Sequence, residues 1–94
     1  MRTQEISNLM GLISNTQDLL RAEKETWQVE FEAMDGRYQK EGHLLPDKKR
    51  ENLERRLEEV SQLLRRYNRA LFGLSEAWNE LECGKMHLDK LSNS

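Results

Sequence analysis

The 94-residue sequence predicts an all-α protein, an antiparallel hairpin of two long helices expected to dimerise into a four-helix bundle or coiled coil. Three observations carry that prediction. Apolar residues recur at alternating steps of four and three along both halves of the chain. The single proline, Pro46, stands between the halves. Charged residues make up 34% and hydrophobic residues 36% of the total, a balance that with such periodicity typifies long helices and coiled coils. A net charge of -2 and an ordered apolar pattern argue against a disordered chain. Residues 1–94 read as one domain.

Helix 1 is predicted over about residues 3–41. Its stripe runs through Ile6, Met10, Ile13, Gln17, Leu20, Lys24, Trp27, Phe31, Met34 and Tyr38, with Gln17 and Lys24 as polar interruptions. Steps of three and four keep side chains on one helical face, whereas a strand needs alternation by two. Lys40 complements the negative end of the helix dipole, and Gly42 is expected to close the helix in the left-handed conformation.

The turn falls at about 42–46, inside "EGHLLPDKKRENLERR". Proline is tolerated at a helix start, and Asp47 is placed to accept a bond from an unpaired first-turn amide. Helix 2 then occupies about 46–92, with a stripe of Leu53, Leu57, Val60, Leu64, Tyr67, Leu71, Leu74, Trp78, Leu81, Lys85 and Leu88. Gly36, Gly73 and Gly84 each cost about 1 kcal/mol relative to alanine inside a helix. Gly73 is the natural place for a break, but Leu71, Leu74 and Trp78 pass it without losing register, so close packing or a mild bend is its expected role. At about 1.5 Å per residue the helices reach roughly 58 and 70 Å. A four-residue loop makes them antiparallel, bringing Trp27 near Val60 and Leu64, Ile13 near Leu74 and Trp78, and Tyr38 near the start of helix 2.

Charge is unevenly spread. Residues 1–42 carry a net -3, residues 47–69 a net +3 and residues 70–94 a net -2. Antiparallel folding lays the basic segment beside Glu23, Glu25, Glu30, Glu32 and Asp35, which are its expected ion-pair partners. The competing use of Lys48, Lys49, Arg50, Arg55, Arg56, Arg65, Arg66 and Arg69 is to bind phosphate on nucleic acid or lipid. A pI near 5.7 and interleaved glutamates make nucleic acid an unexpected partner.

Next to the stripes, Leu9, Leu12 and Leu19 widen helix 1, and Leu63, Ala70 and Ala77 widen helix 2. A broad apolar stripe marks a helix in a bundle core, and one hairpin covers only its facing seam. The predicted dimer or partner interface is therefore Leu9, Leu12, Ile13, Leu63, Tyr67, Ala70, Leu71, Leu74 and Trp78, with Phe72 as an exposed anchor. The expected occupant is a second copy, another helical protein, or both.

Chemistry has little to work with. Glu80, Cys83 and His87 share a face at metal-ligand spacing, but two or three such residues on one helix also arise by chance. His43 in the loop, and Cys83 with no group to orient His87, suggest no catalysis. No enzyme activity, cofactor or metal is expected. A lone cysteine fits a reducing compartment, residues 1–20 are too polar for a signal-peptide core, and no apolar run is long enough to span a membrane. An intracellular protein follows as the expectation, cytoplasmic first and nuclear compatible.

The stretch "LSEAWNELE", residues 74–82, resembles the final helix of a spectrin-type repeat, in which a tryptophan precedes a leucine by three positions. The resemblance implies cytoskeletal scaffolding. Such a repeat needs two turns, and this sequence offers one. The leading expectation is a non-catalytic interaction module that oligomerises or tethers a larger assembly. A small helical chaperone or adaptor covering an apolar client segment comes second, and a spectrin-like repeat or phosphate-binding module follows.

Overall fold

The structure, a computed structural model, describes residues 2–93. It is a helical hairpin: α1 spans Thr3–Glu41, a 3-10 turn spans Gly42–Leu44, and α2 spans Asp47–Ser92. No strand occurs among the described residues. Both helices run unbroken through their interior glycines, as the uninterrupted heptad pattern predicts.

The turn differs from expectation in how it is built. No described glycine has a positive φ, so Gly42 does not close α1 in the left-handed conformation. Instead the chain tightens into the 3-10 turn, and the Leu45 amide donates to the Gly42 carbonyl at 3.2 Å. Space is tight there. A Cβ on Gly42 would sit 3.2 Å from Cδ2 of the Tyr38 ring, which covers it. Leu45 is extended, with φ -79° and ψ 144°, the conformation a following proline imposes. Pro46 stands just outside α2, its carbonyl accepting the Arg50 amide at 2.9 Å. The Asp47 carboxylate accepts the Arg50 guanidinium at 2.8 Å, where a first-turn amide was the expected donor.

The chain divides into two compact units, Met1–Arg21 with Arg69–Ser94 and Ala22–Asn68. In the second unit, Val60 and Leu64 are buried at 2% and 8% exposure, and Trp27, Phe31, Met34, Tyr38, Leu53, Leu57 and Tyr67 are half-buried around them. Polar side chains lock the two helical segments at the margin. The Tyr38 hydroxyl donates to Glu54 at 2.9 Å, bringing Tyr38 to the early part of α2 as predicted. Arg56 lies 5.5 Å from the centroid of the Trp27 ring and 3.5 Å from Glu30, so one cation serves a cation–π contact and an ion pair.

In the first unit, Ile6 and Gln17 are buried, and the Gln17 amide donates to the Ser75 hydroxyl at 3.0 Å. The predicted interruption of the stripe is thus a paired polar rung. The Thr3 hydroxyl donates to Asp89 at 3.4 Å. From Thr3 to Gln17 and from Asp89 back to Ser75 are both steps of fourteen residues, the signature of antiparallel pairing in heptad register. Every position of both predicted stripes is buried or half-buried.

Two expectations are corrected. Among the described residues, Arg56 with Glu30 is the one ion pair that joins α1 to α2; Glu23, Glu25, Glu32 and Asp35 receive no cation from α2. Glu23 accepts the Trp27 indole N–H at 3.1 Å, and Glu32 accepts the Gln28 amide at 3.2 Å. Arg50 finds Asp47 and Glu54 one turn away on its own helix, at 2.8 and 3.9 Å. Local partners at three and four residues win because they need no alignment between helices. Gly73 is the second correction. A Cβ there would meet nothing within 4 Å, so close packing within the chain does not explain it.

Tyr38 supplies a pH prediction. Its hydrogen bond to Glu54 and the negative charge of that carboxylate raise it above its ordinary value of 10.0, with Arg50 opposing. A raised acid is stabilised in its neutral form. The contact is therefore intact below pH 10 and is lost as pH rises through the raised value. In a Tyr67→Phe background, phenolate absorbance should titrate above the ordinary tyrosine range, and Glu54→Gln should move the midpoint down. An unchanged midpoint in Glu54→Gln would show that the contact is not formed in solution.

Candidate interaction surface

In the first unit a second stripe runs beside the seam on each helix. Along α1, Leu9, Leu12, Thr16 and Leu19 follow at steps of three, four and three; along α2, Ala70, Gly73 and Ala77 follow at three and four. Ser75 and Asp89, which receive Gln17 and Thr3, occupy one flank of the α2 seam, so Ala70 and Ala77 lie on the other. In an antiparallel pair, the residue just before the seam falls on the same side of both helices. Glu30 and Arg56, which hold those positions in the second unit, touch one another there. The leucines of α1 and the alanines of α2 therefore share a face.

That face is open. Leu12 is 61% and Leu19 73% exposed, and Leu9, Ala70, Gly73 and Ala77 are also exposed. Of the predicted interface residues, Leu9, Leu12 and Ala70 lie on it, while Ile13, Leu71, Leu74 and Trp78 are half-buried in the seam beneath. Leu63 and Tyr67 are half-buried and belong to the second unit. Phe72 is 65% exposed, as its place off the seam predicts.

Met86 was missed. It too is exposed, and it stands fourteen residues beyond Phe72. That spacing is close to four helical turns, so both side chains leave α2 along one line. The signal was in the sequence, as a pair too sparse to register as a stripe. Val29 and Leu44 are further exposed apolar residues.

The other candidates do not converge. Lys48 and Lys49 are exposed, and among the described residues they form no ion pair. The rest of the basic run is partly committed, Arg50 to Asp47, Arg55 to the Asn52 side chain at 3.0 Å, and Arg56 to Glu30 and Trp27. Glu80, Cys83 and His87 are each exposed, and no group of three potential ligands poised for a metal occurs among the described residues. Two shallow grooves in the second unit, one between Arg37 and Leu53 and one between Phe31 and Leu57, are open to solvent. Within the described residues no helix is long and apolar enough to cross a membrane.

Comparison with known proteins returns no matching family model, no similar curated protein and no similar solved structure.

Proposed function

We propose that this chain is a non-catalytic protein–protein interaction module, which oligomerises or tethers a helical partner into a larger assembly through the outer face of its first unit. One observation carries the reading: Leu12 and Leu19, at 61% and 73% exposure, line up beside Leu9 on the same face as Ala70 and Ala77. Burying a leucine contributes roughly 1.5–3 kcal/mol, so covering this row releases more than a small hairpin otherwise keeps in reserve. Contiguous apolar surface of this kind, rimmed by charge, marks an association site.

The chaperone or adaptor reading draws on a different feature. Phe72 and Met86 form a sparse apolar line elsewhere on α2, and a flexible thioether suits exchangeable contacts with varied segments.

Sedimentation across the micromolar range tests the first reading. The wild-type chain should form a species larger than one chain, and Leu12→Gln should weaken that association at least tenfold with far-ultraviolet helicity unchanged. Phe72→Gln should leave it intact. A wild-type chain that stays monomeric and folds cooperatively at every concentration would end the self-association reading, and an association abolished by Phe72→Gln alone would move the site to the other line.

A further inference from the structure

We infer that the occupant of the open face is a second copy of this chain, docked antiparallel about a two-fold axis at the level of Gly73 and Leu19. The inference rests on the interaction reading above and adds the partner, its direction and its register. The register within the first unit comes first. Gln17 bonds to Ser75, and two residues further along α1 correspond to two residues back along α2, so Leu19 stands level with Gly73.

Around that level α2 carries the same short module twice with its charge reversed: Arg69–Ala70 before Gly73 and Glu76–Ala77 after it. A two-fold axis at Gly73 inverts the order of the second copy. Arg69 then comes within one residue's rise of Glu76 of the second copy, Ala70 within one residue's rise of its Ala77, and symmetry repeats both contacts. A two-fold axis parallel to the helices would instead stack α2 on α1 of the second copy and bring neither pair together. Arg69 and Glu76 form no ion pair with any described residue of their own chain, so both are available.

Size complementarity agrees with charge. Ala70, Gly73 and Ala77 let two helices approach toward the short end of the usual 8–10 Å separation. On α1, Leu19 meets its own copy beside the axis, and Leu12 reaches outward over the flank. The leucines supply most of the affinity; the two charge pairs at the rim select direction and register, as flanking charges do between coiled helices. Because the same patch serves both chains, the contact closes at two and does not propagate into fibres.

Charge reversal tests the geometry. Arg69→Glu places two glutamates opposite two glutamates, and Glu76→Arg places two arginines opposite two arginines. Each variant alone should raise the dimer dissociation constant about tenfold. An equimolar mixture of the two should form the heterodimer preferentially, since both pairs are then attractive. The double variant Arg69→Glu with Glu76→Arg should self-associate as tightly as wild type. Helicity by circular dichroism should match wild type throughout, and mass-tagged chains in native mass spectrometry read the pairing directly. A dimer whose affinity ignores both single variants, or one that Arg69→Glu tightens, overturns the antiparallel register while leaving the interaction reading intact. A wild-type chain that never dimerises overturns the second copy as occupant.

Discussion

Leu64→Ala should lower the stability of the chain by about 3 kcal/mol, whereas Leu44→Ala should change it by less than about 0.5 kcal/mol. Both remove the same three carbons' worth of leucine from the same molecule. Leu64 is 8% exposed beside Val60, so its truncation forfeits transfer energy and leaves a void that two helices cannot fully collapse around. Leu44, 73% exposed in the turn, has little burial to lose. Loss of 3 kcal/mol is roughly a hundredfold in the unfolding constant, a large share of what a hairpin of this size holds. Urea unfolding followed by circular dichroism, at one fixed protein concentration, separates the two. Equal effects would show that the packing around Val60 and Leu64 is not the core.

Gly11→Ala and Gly36→Ala together should raise stability by about 2 kcal/mol. Each glycine lies inside α1, and a Cβ at either meets nothing within 4 Å. Alanine therefore restricts the unfolded chain and removes the helix penalty without a steric cost. Gly42→Ala is expected to act in the opposite sense, since its Cβ would come 3.2 Å from the Tyr38 ring, which its hydroxyl ties to Glu54. Thermal melts of the double variant and of Gly42→Ala measure both signs. Stabilisation by Gly42→Ala would mean that the ring yields and that the turn is looser than its contacts suggest. Gly73 stays out of this comparison because a methyl there would alter the open face itself.

The seam was legible because it depends on little besides the helical repeat. Steps of three and four decide which side chains share a face, so residues as different as Val60, Lys85 and Gln17 all fall where counting puts them. Pro46 and the heptad pattern likewise located the turn to within a residue or so. Contacts that depend on rotamers or fine spacing were not legible. Arg50 reaches Asp47 and Glu54 on its own helix in preference to the acids of α1, because long flexible side chains settle on the nearest carboxylate. The fit of Gly42 under Tyr38 requires the position of a ring, which composition does not report. For the candidate face, the leucines beside the seam of α1 were readable as a widening. Only the register of Gln17 against Ser75 shows that Leu19 stands level with Gly73, and only the exposures show that Leu63 is half-buried where Ala70 and Ala77 are open.

A hairpin whose rungs lie ever further apart along the polypeptide assembles in a preferred order. Tyr38 and Glu54 are 16 residues apart, Gln17 and Ser75 are 58, and Thr3 and Asp89 are 86. Joining the distant rungs first would cost loop-closure entropy that the near rung avoids, and each completed rung shortens the loop the next must close. Nucleation at the bend followed by zipping is thus the fast route, the helices lengthening as they find one another. The segments farthest from the bend are the last of these to associate, so the threonine–aspartate rung closes after the other two.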